Sequence, residues 1–334
     1  MKAALISTLF LLSAWGARQA SATEPEGRVR PVEISGKRYV RLGDWANANH
    51  FAAHWLQRDE SLELTNRSAR LVFMKDSRDA EVNGIHVWLS NPIVVQNGGG
   101  YISELDLDTA VHPVLNPPKN WRGSQVRKIV IDPGHGGKDP GNEDGPHQEK
   151  KYTLLLAQEL CDQLNHAGFN ASLTRTTDTL IDLPVRPDIA RRRTADLFIS
   201  LHWNSVQTGK SQVRGIETYC LTPAGASSSN AGGEIGDGGT KPGNRNNDKN
   251  MFLAYELHKS LVQNLGTEDR GVRRARFLVL CDAEMPAVLI EGGFMSHPTE
   301  SKKIYDPAYR RQMARAIVQG VIAYQRQVEP PKPH

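Results

Sequence analysis

Cysteine is scarce, at three in 334 residues, and Cys161, Cys220 and Cys281 sit in apolar stretches rather than at framework spacings. That excludes a disulfide-stapled small fold, and buried, unreactive thiols are the expectation. No charge of one sign is massed: 41 basic and 37 acidic residues leave a net +4. Without a basic run interleaved with aromatics there is no nucleic-acid footprint. Long apolar runs are missing too. Only Ala3 to Trp15 qualifies, and it is too short to cross a bilayer comfortably, so a polytopic membrane protein is excluded. Apolar residues are nevertheless not depleted, at 39% hydrophobic against 23% charged. That balance excludes a disordered chain and supplies one large or two medium globular domains.

The apolar run follows Lys2 and precedes Ala20-Ser21-Ala22, a small-residue cleavage pattern. Residues 1–22 therefore read as a signal peptide, with the mature chain starting at Thr23. The expected location is outside the cytoplasm, in the periplasm or secreted to the cell wall, with no stable membrane insertion after cleavage.

Beyond that, two patterns succeed one another. Residues 30–115 read as a small α+β accessory domain, with a helix over Asp44 to Leu56 and several short strands. An Asn83-Gly84 turn signal lies inside an alternating stretch. Residues 116–126 form a proline-bearing polar linker. Residues 127–326 alternate strands with helices, the mark of an α/β domain. The strands read as Lys128–Asp132, Phe169–Thr174, Leu197–Leu201, Ile216–Leu221, Phe277–Leu280 and Ala287–Ile290. The helices read as Glu149–Leu164, Pro184–Ala195, Met251–Leu265 and Tyr309–Tyr324. Ala224 to Asn250 holds seven glycines and reads as a long mobile loop beside a substrate groove or as a plain surface insertion. Residues 327–334 read as a disordered tail.

Chemistry-bearing side chains gather at strand ends. His135 follows the first strand, Glu149 opens the first helix, His202 ends a strand and Glu291 ends another. In an α/β sheet such positions converge on one edge. Two imidazoles and a carboxylate with an open position would make a catalytic zinc site, and a further carboxylate could serve as general base. The spacing of 14, 53 and 89 residues is no signature by itself. Asp132, Asp139, Glu143, Asp144 and His147 compete as ligands, and Glu291 could instead pair with an arginine near 273. Asn204, Arg175, Arg273 and Arg274 are candidates for holding a substrate carboxylate or sugar.

Four motifs in order, IVIDPGHGGKDPGN, EKKYTLLLAQEL, LFISLHWNS and MPAVLIEGGFMSHPTES, resemble those of the zinc-dependent N-acetylmuramoyl-L-alanine amidases of type 3. The resemblance spans Lys128 to Tyr324. It implies a mainly parallel sheet of about six strands flanked by helices, and one zinc ion held by His135, Glu149 and His202. It also implies Glu291 as the catalytic glutamate, taking a proton from water and returning it to the departing L-alanine amine. The implied partner is peptidoglycan, with an unidentified activator protein among the partners such an enzyme takes. Trp203, Arg191 and His297 depart from the family's usual residues. Separately, VNGIHVWLSNPIVVQNGGGYIS resembles the module named for the copper amine oxidase N-terminal domain, which implies a wall-binding or orienting role. The name brings no copper, since that stretch holds no ligand cluster. Three other readings compete: a zinc peptidase cutting within the stem peptide, a non-enzymatic wall-binding protein, and a glycosidase with paired carboxylates.

Overall fold

The computed structural model describes residues 29–121, 124–230 and 238–329. The expected signal peptide and the end of the tail lie outside the described residues. In the N-terminal part, β1 (Val32–Ile34) and β2 (Lys37–Arg41) lead into α1 (Leu42–Ala48). A meander comes next: β3 (Ala52–Gln57), β4 (Ser61–Thr65), β5 (Arg70–Met74), β6 (Asp79–Val82) and β7 (Ile85–Trp88). Then come β8 (Val94–Gln96), β9 (Gly99–Ser103), α2 (Glu104–Asp106), a π-helical turn over Leu107–Val111, and α3 (His112–Leu115). Asn83 and Gly84 both take positive φ, so the β6–β7 turn is the tight one that this dipeptide favours. The helix expected over Asp44 to Leu56 stops at Ala48. His50, at φ +60°, reverses the chain, and Ala52 to Gln57 are strand β3 instead.

The second part runs β10 (Lys128–Pro133), the hairpin strands β11 (Glu143–Asp144) and β12 (His147–Gln148), and α4 (Glu149–His166). It continues with β13 (Asn170–Leu173), α5 (Val185–Arg192), β14 (Leu197–Asn204) and β15 (Ile216–Leu221). A 3-10 turn over Pro242–Asn246 precedes α6 (Asn247–Leu265), β16 (Asp269–Ala275), α7 (Leu278–Cys281), β17 (Ala287–Phe294), α8 (Glu300–Tyr305) and α9 (Pro307–Val328). Phe277 to Leu280, expected as a strand, is instead the approach to and body of α7. The sixth strand is β16, whose charged sequence Asp269-Arg270-Gly271 hides it from a search for apolar alternation.

Six strands of this part lie in the order β13-β10-β14-β17-β15-β16. The first four are mutually parallel, β15 runs antiparallel to β17, and β16 runs parallel to β15. The sheet does not end there. β7 pairs with β16 through Val87 and Val272, and β6, β5, β4 and β3 continue it to eleven strands. The segment read as an accessory module thus extends the sheet of the second part, and one hydrophobic cluster runs from Leu64, Leu71 and Phe73 to Ile199, Val288 and Ile317. In the expected linker, Asn120 and Val126 lie against the last helix, the Asn120 N–H donating to the Val328 carbonyl and the Val126 N–H to Glu329.

Side-chain alternation along the strands separates two faces. Ile129, Ile131, Ile199, Leu201, Val288 and Ile290 face α4, α6 and α9, whose Leu156, Leu160 and Leu164 meet them at helical spacing. Val130, Phe198, Tyr219 and Leu289 face the much shorter α5 and α7. Those two helices leave the carboxyl ends of β10, β14 and β17 open, and the site lies there. Around the glycine-rich stretch, residues 224–230 are tied down: Arg276 donates to the Ala226 carbonyl and Arg78 to those of Ser227 and Ser228. Residues 231–237 lie outside the described residues. Among the described residues no helix is long and apolar enough to cross a membrane.

Candidate metal centre

The loop after β10 turns sharply because of its glycines. A Cβ on Gly134 would fall 2.3 Å from the His202 ring, and one on Gly141 would fall 2.6 Å from His135 and 2.7 Å from Glu149. His135 itself sits at φ +60°, a conformation that costs a non-glycine residue on the order of 1–2 kcal/mol and is held here by its surroundings. Arg186 does much of that holding. From α5 it donates to the carbonyls of Pro133 (2.9 Å) and His135 (2.9 Å) and to Asp132 (2.9 Å). Arg175 binds the Pro133 and Gly134 carbonyls from the other side.

His135, Glu149 and His202 converge, with one ligand atom from each lying within 4.8 Å of the others. His135 Nε2 is 3.1 Å from Glu149 Oε2, and His202 Nδ1 is 3.0 Å from Glu149 Oε1. The two rings stand edge to face, their centres 4.9 Å apart. Glu149 is buried and its carboxylate also accepts the N–H groups of Asn142 (2.9 Å) and Trp203 (3.0 Å). Burial alone would raise its pKa, but the bonds and charges of the two histidines hold it well below the usual carboxylate range. Asp139 Oδ2 lies 2.8 Å from His135 Nδ1, so the carboxylate fixes the ring with Nε2 turned to the cluster.

Glu291 stands beside them, in register with His202 on the neighbouring strand. Its Oε2 is buried and has no hydrogen-bond partner. Burial pushes its carboxyl well above the usual range, and the charges of Glu149 and Glu217 add to that. A buried carboxylate oxygen without a partner, in the same cleft as these donors, is a costly feature unless a water or a cation meets it. A cleft of about 480 Å³ opens over these groups, walled on one side by Leu180, Leu183, Phe277 and Val279.

The competing ligand candidates are engaged elsewhere. Asp132 is fully buried and takes Thr174, Ser200 and Arg186. Gln148 holds Glu143, Tyr305 holds Asp144, and His147 bonds Tyr152 while stacking on Tyr305. Nor does Glu291 take an arginine near 273: Arg270 and Arg273 go to Glu217. Arg274 is a buried structural cation that donates to the carbonyls of Leu221 and Thr109, and Arg175 likewise serves backbone carbonyls. Sequence reasoning missed Glu217 and Arg270. The visible signal was a glutamate inside the otherwise apolar strand Ile216–Leu221.

The departures from the family pattern lie away from the cleft. Trp203 alternates onto the opposite face from His202 and is wholly buried, in space left by Gly292, where a Cβ would meet its ring at 2.6 Å. His297 Nδ1 accepts the N–H groups of Thr299 and Glu300 at the start of α8, and Arg191 pairs with Asp188 at the surface.

A family model described as N-acetylmuramoyl-L-alanine amidase matches residues 129–323. AmiC of Neisseria meningitidis, an amidase of that name, is 35% identical over 231 residues, or 62% of this chain and 55% of the relative. LytC of Bacillus subtilis is 33% identical over 198 residues, or 59% of this chain and 35% of the relative. The chain thus spans about half the length of the first and a third of the second. The structure of the amidase AmiC2 of Nostoc punctiforme, 32% identical, covers 61% of this chain and 99% of its own with a TM-score of 0.51. With the four motifs, the fold and a family match over more than half its length, this chain belongs to the N-acetylmuramoyl-L-alanine amidase family.

Proposed function

We propose that the protein is a peptidoglycan amidase that hydrolyses the bond between the lactoyl carbonyl of N-acetylmuramic acid and L-alanine of the stem peptide. The observation that carries this reading is the convergence of His135, Glu149 and His202 beside the unpartnered Oε2 of Glu291. Two imidazoles and a carboxylate, with Asp139 orienting one ring, suit zinc and leave a position open for chemistry. A zinc ion held by these three residues would supply Lewis acidity, polarising a carbonyl oxygen and lowering the pKa of water towards ~7.

The chain's own groups supply the rest. Glu291 accepts a hydrogen bond from the attacking water through its free oxygen and takes the proton. A carboxyl pushed upward by burial holds that proton well enough to hand it to the amine nitrogen as the C–N bond breaks. Glu149, buried and bonded by two backbone N–H groups, keeps the cluster from rearranging as charge develops. Such a substrate requires export, in line with reading residues 1–22 as a signal peptide.

The test is digestion of purified peptidoglycan by the chain from Thr23, with products identified by mass spectrometry. The expected products are stem peptides with a new L-alanine amine, lost on chelation and restored by zinc. Cleavage inside the stem peptide would make the protein a peptidase, and chelator-resistant release of sugars would overturn the metal site.

Metal affinity should also depend on pH in a stated direction. Burial disfavours charge on His135, but the bonds and charges of Glu149 and Asp139 outweigh it and raise its pKa above the usual value. The proton must leave before zinc can bind, so affinity falls as pH drops through that raised value, by up to about tenfold per unit for each proton displaced. Chelator-competition titrations across neutral and mildly acidic pH measure this, and a flat profile would contradict it.

A further inference from the structure

The cleft face carries a second charged group, two strands away from Glu291. His202, Glu291 and Glu217 are cross-strand neighbours on β14, β17 and β15. Glu217 in turn lies opposite the irregularity in β16 between Asp269 and Val272, where Arg270 sits. Neighbouring strands are spaced by about 4.8 Å, so the row places Arg270 roughly 10 Å from Glu291.

The pairing there is unbalanced. Glu217 Oε1 meets Arg270 Nε at 2.8 Å and Arg273 Nε at 3.3 Å, while its Oε2 takes Asn204 Nδ2 at 3.1 Å and the Tyr219 hydroxyl at 2.9 Å. One carboxylate is therefore saturated by two guanidinium groups and two neutral donors, and a positive charge is left over. Both arginines spend Nε on internal partners. Among the described residues no hydrogen bond engages the terminal Nη atoms of either, and the Arg270 side chain is 26% exposed.

These side chains are held in place. The Arg270 guanidinium lies 5.1 Å from the centre of the Phe294 ring, and that of Arg273 lies 4.3 Å from the centre of Trp88. Trp88 also donates its indole N–H to the Arg270 carbonyl at 3.1 Å. A guanidinium anchored at Nε keeps its paired Nη groups for another partner, and that pair is the fork that takes a carboxylate in two parallel bonds.

We propose that Arg270 and Arg273 form a carboxylate subsite for the stem peptide, and that Trp88, from the N-terminal strands, positions them. The ligand is the free carboxylate on the residue after L-alanine. This rests on the amidase reading above. With the scissile carbonyl over the donor cluster and its nitrogen towards Glu291, two residues of extended peptide reach about 7 Å. That distance and the length of an arginine side chain cover the span. The N-terminal strands thereby complete a substrate site rather than only extending a sheet.

The test compares two soluble muramoyl peptides that differ only in whether the second residue carries a carboxylate or its carboxamide. The wild-type protein should favour the carboxylate in kcat/KM. Arg270→Gln should reduce that preference by about tenfold or more, since a charge-assisted bond is lost. Trp88→Leu should shift it the same way by less. The preference is a ratio measured on one preparation, so a partly unfolded variant does not disturb it. A wild-type protein indifferent to the carboxylate, or an Arg270→Gln variant that keeps the full preference, would overturn the subsite while leaving the amidase reading intact. Failure of the wild-type protein to release an L-alanine amine from either peptide would overturn both.

Discussion

Glu291→Gln is expected to reduce hydrolysis of peptidoglycan by about 10²–10⁴-fold, the range associated with a positioned general acid–base. The glutamine is nearly isosteric, and the Oε2 it replaces makes no hydrogen bond, so packing should be little disturbed. Zinc content should stay at the wild-type level because the three donors His135, Glu149 and His202 are untouched. Turnover and metal content measured on the same sample separate a role in proton transfer from a role in metal binding. Retention of wild-type turnover would remove Glu291 from the reaction, and loss of zinc would make it a ligand.

Replacing His202 should instead remove the metal. His202→Ala takes away one of the three converging donors and leaves Glu149, which His202 helps to hold in its charged form, with one histidine partner. Activity should fall to background and should not return at stoichiometric zinc. Asp139→Ala gives the graded comparison, because Asp139 is no donor of the cluster itself and reaches it through His135 Nδ1, its other oxygen accepting the Gly141 N–H. Loss of such an orienting carboxylate costs on the order of 10–100-fold in metal affinity, and excess zinc should then restore turnover. If His202→Ala bound zinc as tightly as the wild-type protein, the ligand assignment would fail.

Much of the architecture comes from local sequence. Ile129 to Asp132 is an apolar run that breaks into a glycine-rich loop, and Leu156, Leu160 and Leu164 recur at helical spacing; both become the elements expected. Errors occur where a residue's environment decides its state. Leu278 to Cys281 is apolar enough for a strand but turns as a short helix over the cleft face, and charged Asp269 to Ala275 is a strand whose polar groups find Glu217, His258 and the donating Trp88 indole N–H as partners.

The same division holds for the site. Sequence by itself determined which side chains stand at strand ends and marked His135, Glu149 and His202 as candidate metal donors, since the ends of apolar runs and the motifs around them are local. It left Asp139 level with Asp132, Glu143, Asp144 and His147 as partners from one loop. Only the tertiary structure chose Asp139 to orient His135, sent Asp132 inward to Arg186, and set Glu217 and Arg270 in the same row as Glu291. It alone joined β7 to β16 and so brought Trp88 to the arginines. The reason is physical: which side chains become neighbours across a sheet depends on strand order and register, and these are fixed by packing between segments far apart in the chain.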